Sequence, residues 1–273
     1  VRFEVLAADT IAREGLRLNW LDSGGGGMPV VFQHGLCGDA RQTAEVFPDD
    51  PLFRLITMEC RGQGNSEASA ETELSIAAFA GDVAALIDEL GGVPVVIGGI
   101  SMGAAIALRL AVTRPDLVRA LIIARPAWLT GTAPQNMQPN AEVGRLLGAL
   151  PPAAARAEFA AGETARRLAS VAPYNLASLM SFFDREPVAV TARLLTAIAA
   201  DGPGVTEAAL RRLTVPTLVI GTERDAIHPW SFAHTIADLI PPAKLVTITP
   251  KAIDKTAYVR EFQQALLAFL EDI

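Results

Sequence analysis

Gly99-Ile100-Ser101-Met102-Gly103 follows the apolar run Pro94 to Gly98 and precedes the Ala-rich run Ala104 to Thr113. The pattern reads as a strand, a sharp turn with a serine at its apex, and a helix. Glycine is needed on both flanks, because a side chain at either would collide with the neighbouring strand and helix. Held in such a turn, Ser101 Oγ stands exposed above the sheet edge. The Met102 N–H, at a helix N-terminus, aims where a carbonyl oxygen would become negative. This is the geometry of a nucleophile elbow; the bland alternative is a tight strand-helix turn with an incidental serine.

Outward from the elbow, short β-rich runs occur at Phe3 to Ala7, Leu16 to Leu21, Val30 to Gln33, Arg54 to Met58, Val95 to Gly98, Ala120 to Ala124, Thr217 to Ile220 and Leu245 to Ile248. Most are continuously apolar rather than alternating, as expected of strands covered on both faces. Helical patterns lie between them, notably Ser75 to Leu90, Ala104 to Thr113, Trp230 to Leu239 and Lys255 to Glu271. This alternation predicts an α/β fold with a mostly parallel, doubly wound sheet of eight strands. The run Gly24 to Gly27 reads as a hairpin turn in the antiparallel start of the sheet; no G-x-x-x-x-G-K-[ST] pattern makes it a phosphate loop.

Across residues 126–213 the alternation stops, and Ala- and Leu-rich helical stretches punctuated by prolines take its place. The expectation is a core of residues 1–125 and 214–273 with a helical cap inserted between them, its apolar faces over the mouth of the site.

At 273 residues the chain can bury a substantial core. Its 51% hydrophobic residues argue against disorder, and its net charge of −7 argues against nucleic acid as a partner. No apolar run reaches the roughly 20 residues needed to span a bilayer. The segment Val1-Arg2-Phe3-Glu4 lacks the charged and apolar parts of a signal peptide, so a cytoplasmic location without membrane attachment is expected. Cys37 and Cys60 read as free thiols. No cofactor is implied: there is no dinucleotide fingerprint and no zinc-ligand spacing.

After the third strand, His34-Gly35-Leu36-Cys37-Gly38 brings backbone close to the serine, and the Leu36 N–H is a candidate second oxyanion donor beside that of Met102. His34 reads as ordering this turn through backbone hydrogen bonds. Glu59 to Ser66 is a Gly-rich loop after the fourth strand. The strand ending at Ile220 runs into Gly221 to Pro229, which puts Asp225 at the same sheet edge as Ser101. A carboxylate there can orient and stabilise an imidazolium. Trp128, in Arg125-Pro126-Ala127-Trp128, reads as a pocket wall or as an anchor for the cap.

The His34-Gly35 turn, the Arg-Gly-x-Gly-x-Ser loop at Arg61 to Ser66, the Gly-x-Ser-Met-Gly elbow and the Gly-x-x-x-Asp loop at Gly221 to Asp225 together resemble the α/β-hydrolase superfamily along essentially the whole chain. The resemblance implies the α/β-hydrolase fold, Ser101 as nucleophile, Asp225 as triad acid, and Leu36 and Met102 as oxyanion donors. It also implies a catalytic histidine after the last strand. That segment, Thr249 to Tyr258, contains none; Asp254 falls near the usual position and Tyr258 one turn later. Neither is an adequate base, since a tyrosine is protonated at neutral pH and an aspartate is weakly basic.

Three histidines exhaust the alternatives. His34 belongs to the oxyanion turn and His234 to a helix. His228, three residues after Asp225 on the same loop, is the candidate displaced base; its bland role is beside Pro229 at a helix start. Two readings compete. One is a serine hydrolase of a small apolar ester, lactone, thioester or related carbonyl compound, working through a Ser101 acyl-enzyme with a non-standard or impaired triad. The other is a non-hydrolytic relative that keeps the pocket to bind a small apolar ligand or a partner.

Overall fold

The computed structural model describes residues Val1–Ile273. Its sheet has eight strands: β1 (Ala7–Arg13), β2 (Leu16–Asp22), β3 (Met28–Gln33), β4 (Phe53–Met58), β5 (Val95–Ile100), β6 (Val118–Ala124), β7 (Thr217–Thr222) and β8 (Ala243–Ile248). The spatial order is β1-β2-β4-β3-β5-β6-β7-β8. Only β2 runs against the others, pairing antiparallel with β1 and β4, and every later pair is parallel.

The helices are α1 (Ala40–Val46), α2 (Ile76–Glu89), α3 (Met102–Thr113), α4 (Gln138–Ala149), α5 (Pro152–Ala161), α6 (Glu163–Val171), α7 (Pro173–Ser181), α8 (Val188–Ala200), α9 (Glu207–Leu210), α10 (Trp230–Leu239) and α11 (Lys255–Glu271). The apolar strands serve both faces of the sheet. Val31, Ile97 and Ile123 pack with Phe79 and Val83 of α2, Ile106 of α3 and Ile236 of α10. Their neighbours Val30, Phe32, Val96 and Ile122 pack with Ala44 of α1 and Phe262 and Leu266 of α11. This period-two sorting explains why the strands lack polar alternation.

Helices α4 to α9 all lie in the chain between β6 and β7. Val143 and Leu147 of α4, Phe159 of α5, Leu168 of α6, Leu179 of α7 and Leu195 of α8 form a separate apolar cluster. The opposite side of α8 is shared with the sheet, since Leu194 and Ile198 join the cluster that contains α2 and α3. No helix is long and apolar enough to cross a membrane.

Two expectations about local structure need correction. The segment Phe3–Val5 is a single 3-10 turn, and the first strand starts at Ala7. Phe3 and Leu6 are three residues apart, a one-turn spacing that puts both against the α1/α11 side of the core. The true strand β1 is at the sheet edge and largely exposed, so it has no apolar run to announce it. The Gly24 to Gly27 loop is no hairpin, because β4 lies between β2 and β3. The loop passes under the start of β4, where Ser23 N donates to Leu55 O at 2.9 Å and Met28 N to Leu52 O at 2.7 Å. Gly27 is required there: a Cβ would lie 2.6 Å from backbone atoms of Pro51 and Leu52.

Candidate active site

The elbow is built as its sequence demands. Ser101 sits at φ 58°, ψ −110° between the last residue of β5 and the first of α3. A Cβ on Gly99 would lie 2.5 Å from the Gly103 carbonyl carbon, and one on Gly103 would lie 2.3 Å from Gln33 O. Both contacts are with backbone, which cannot step aside, so the two glycines permit the turn that a non-glycine serine then strains.

The loop after β7 supplies the partners. Asp225 accepts from the backbone N–H of Ile227 at 3.1 Å and of His228 at 2.9 Å, bending the loop back on itself. That bend brings side chains i and i+3 into contact, with His228 Nδ1 3.0 Å from each Asp225 oxygen. On the other side of the ring, His228 Nε2 lies 2.9 Å from Ser101 Oγ. With Nδ1–H donated to the carboxylate, Nε2 carries the free lone pair and accepts from the serine hydroxyl. All three groups are nearly enclosed: Ser101 is 8% exposed, and the side chains of His228 and Asp225 are 11% and 7% exposed.

Two further side chains hold Asp225. Arg125, directly after β6, donates through Nη2 at 2.6 Å, and Asn175 of α7 donates through Nδ2 at 2.9 Å while its Oδ1 accepts from Ala226 N at 2.9 Å. Asn136 braces the same loop, donating to Ala127 O at 2.9 Å and Ile227 O at 2.7 Å. Arg125 Nη2 also lies 3.1 Å from His228 Nδ1. A guanidinium only donates, so both groups point their protons at the carboxylate between them. Burial works to raise the Asp225 pKa, but the facing charges and hydrogen bonds of His228 and Arg125 overcome it and hold the carboxyl well below the usual range. The His228 pKa is lowered: burial is the main cause and the Arg125 charge adds to it, against the opposing pull of Asp225.

The turn after β3 completes the arrangement. His34 is fully buried, with Nδ1 donating to Gly35 O at 2.8 Å and Nε2 accepting from Cys60 N at 3.1 Å. It orders the turn, as its position suggested, and is not part of the cavity wall. Two glutamines pin the amides on either side of Leu36: Gly35 N donates to Gln42 Oε1 and Cys37 N to Gln63 Oε1, each at 2.6 Å. The Leu36 and Met102 N–H groups have no acceptor in the protein. Both are available to a developing oxyanion. Cys37 and Cys60 are free thiols, and burial pushes Cys37 up to about 12.

Other candidate positions fall outside the site. Asp254 is the N-cap of α11, accepting from Ala257 N at 2.9 Å. Tyr258 is buried against Phe262, ring centres 5.7 Å apart, with the Arg125 guanidinium 5.8 Å from its own ring. Trp128 is an anchor and not a wall residue, its Nε1 donating to Asp201 O at 2.9 Å after α8. His234 is half exposed beside Asp238.

A cavity of about 110 Å³ lies over Ser101. The expected apolar lining is only half right. Leu36, Ile100, Met137, Leu179, Phe182 and Ile227 share the wall with Gln42, Arg125, Asn140, Tyr174, Asn175 and Ser178. The polar members on α4 and α7 escaped the sequence reading because those helices show their apolar faces to one another, leaving polar positions to face the serine.

The family model described as alpha/beta hydrolase fold matches residues 28–252, a span that includes the elbow, the turn after β3 and the Asp225–His228 loop. The chain belongs to the α/β-hydrolase fold family. Among related proteins, the mouse sn-1-specific diacylglycerol lipase is 31% identical over 50% of this chain, a match that spans only 42% of the mouse protein. The 2-hydroxymuconate semialdehyde hydrolase of Pseudomonas sp. strain CF600 is 29% identical over 89% of this chain and 83% of its own length. A thermophilic esterase from Thermogutta terrifontis superposes with a TM-score of 0.74 at 23% identity, covering 98% of both chains, which is a likeness of fold. Within the α/β-hydrolase family, this member carries its active-edge histidine after β7 and none after β8.

Proposed function

We propose that this protein is a serine hydrolase of small carbonyl substrates, an ester, lactone or thioester, acting through a Ser101 acyl-enzyme. The observation that carries the reading is the unbroken chain from Ser101 Oγ to His228 Nε2 at 2.9 Å and from His228 Nδ1 to Asp225 at 3.0 Å. His228 takes the Ser101 proton as Oγ attacks the carbonyl carbon. The oxygen turns negative against the N–H groups of Leu36 and Met102, and Asp225 stabilises the imidazolium. His228 then returns the proton to the leaving group, and water, deprotonated by the same nitrogen, releases the acyl group. A lowered His228 pKa keeps the base neutral at pH 7, which suits the first step. We read residues 126–213 as a cap, supported by the contributions of α4 and α7 to the cavity wall.

A fluorophosphonate probe tests the reading, because it labels only an activated serine. Labelling of the wild type that is lost in Ser101→Ala and reduced by orders of magnitude in His228→Ala is expected. Silence from Ser101, under conditions where a control hydrolase reacts, would favour the non-hydrolytic binding alternative.

A further inference from the structure

The cavity wall holds an unsatisfied amide. Asn140, in the first turn of α4, is 5% exposed and lines the space over Ser101. Its Oδ1 is buried without a hydrogen-bond partner. Its Nδ2 also makes no hydrogen bond within the protein. A buried amide oxygen left without a partner costs stability that an apolar side chain would not. The wall therefore carries a carboxamide with no partner in the protein, free to pair with a group that enters the cavity.

We propose that Asn140 recognises an uncharged hydroxyl on the acyl part of the substrate, making hydroxyacyl esters the preferred class; this rests on Ser101 being the nucleophile. Charge balance excludes the stronger alternatives. The cavity's one cation, Arg125, is already matched at 2.6 Å by Asp225, and no second cation lines the wall to hold a substrate carboxylate. No carboxylate lines it to hold an ammonium. A hydroxyl both donates and accepts, so it satisfies the carboxamide whichever end faces it, and it is the smallest group able to do so in about 110 Å³. A site built to hydrogen-bond such a group discriminates strongly against the analogue that lacks it, because the protein's polar atom is then left unpaired.

The test compares kcat/KM for the p-nitrophenyl esters of butyrate and of each 3-hydroxybutyrate enantiomer, in wild type, Asn140→Leu and Asn140→Ala. Wild type should prefer one hydroxy enantiomer by about tenfold or more, and both variants should bring that ratio to one or below. A wild-type preference for plain butyrate, or a hydroxy preference that survives both substitutions, overturns the proposal. Asn140 makes no side-chain hydrogen bond within the protein, so the variants should fold with an unchanged or raised Tm. Binding of methyl 3-hydroxybutyrate and methyl butyrate to Ser101→Ala, measured by calorimetry, separates this proposal from the hydrolase reading. Tighter binding of the hydroxy ester, lost on adding Asn140→Leu, upholds the recognition even if no ester is turned over. Equal binding of the two rejects it even if Ser101 proves to be a nucleophile.

Discussion

Replacing Arg125 with Met should lower stability and raise the His228 pKa together. Arg125 and Asp225 form an ion pair at 2.6 Å with side chains 9% and 7% exposed, so removing the cation leaves a carboxylate charge with little solvent. Breaking a buried pair in this way costs about 3 to 5 kcal/mol. The lower figure applies here, because Asn175 and the N–H groups of Ile227 and His228 continue to donate to Asp225. The second effect follows from the Arg125 charge 3.1 Å from His228 Nδ1, worth about 5 kcal/mol at an effective dielectric constant of about 20 before rearrangement. Even a fraction of that is enough to move the imidazole's titration. A cation next to an imidazole opposes its protonation, so removing the cation raises the pKa. The acid limb of kcat/KM then moves to higher pH, and the variant loses more activity at pH 6 than at pH 8. Urea denaturation and the pH dependence of p-nitrophenyl acetate hydrolysis read the two effects separately, with Arg125→Lys as the charge-preserving control. A limb that stays in place in Arg125→Met, while stability falls, would refute the electrostatic reasoning and reduce Arg125 to a packing role.

Gly103→Ala should abolish activity and destabilise the fold by at least about 2 kcal/mol, since its Cβ would meet Gln33 O at 2.3 Å; the urea midpoint and the rate against p-nitrophenyl acetate report both. Restoring histidine after β8 should bring no gain. Asp254→His loses the cap on Ala257 N, at a cost of about 1 kcal/mol, and Tyr258→His disturbs a buried ring, so both variants should hydrolyse no faster and melt earlier. A rise in kcat/KM in either would mean that the loop after β8 still serves the serine.

The parts of this architecture that were legible in the sequence are those that one local pattern determines. Val95–Ile100 is apolar because both sheet faces are covered, and the glycines at 99 and 103 are needed because backbone lies where a side chain would go. His228 was legible as a candidate because it lies three positions after Asp225, a spacing that a turn closes. What the local sequence could not convey was long-range partnership. Arg125 and Asp225 are a hundred positions apart and meet only because β6 and β7 are neighbours in the sheet. Asn175 reaches Asp225 from a helix whose docking depends on the packing of α4 to α8. The Gly24 to Gly27 loop misled for the same reason, as the strand that enters between β2 and β3 comes later in the chain.

Turnover by Ser101 requires His228 to serve as its base from the loop after β7. The most direct measurement is the pH profile of kcat/KM for p-nitrophenyl acetate in wild type and His228→Ala. An acid limb with its inflection below the ordinary histidine value of about 6.5, and a loss of about 10⁴-fold or more in the variant with the limb abolished, is the predicted result. Near wild-type rates in His228→Ala, with the same limb, would contradict it.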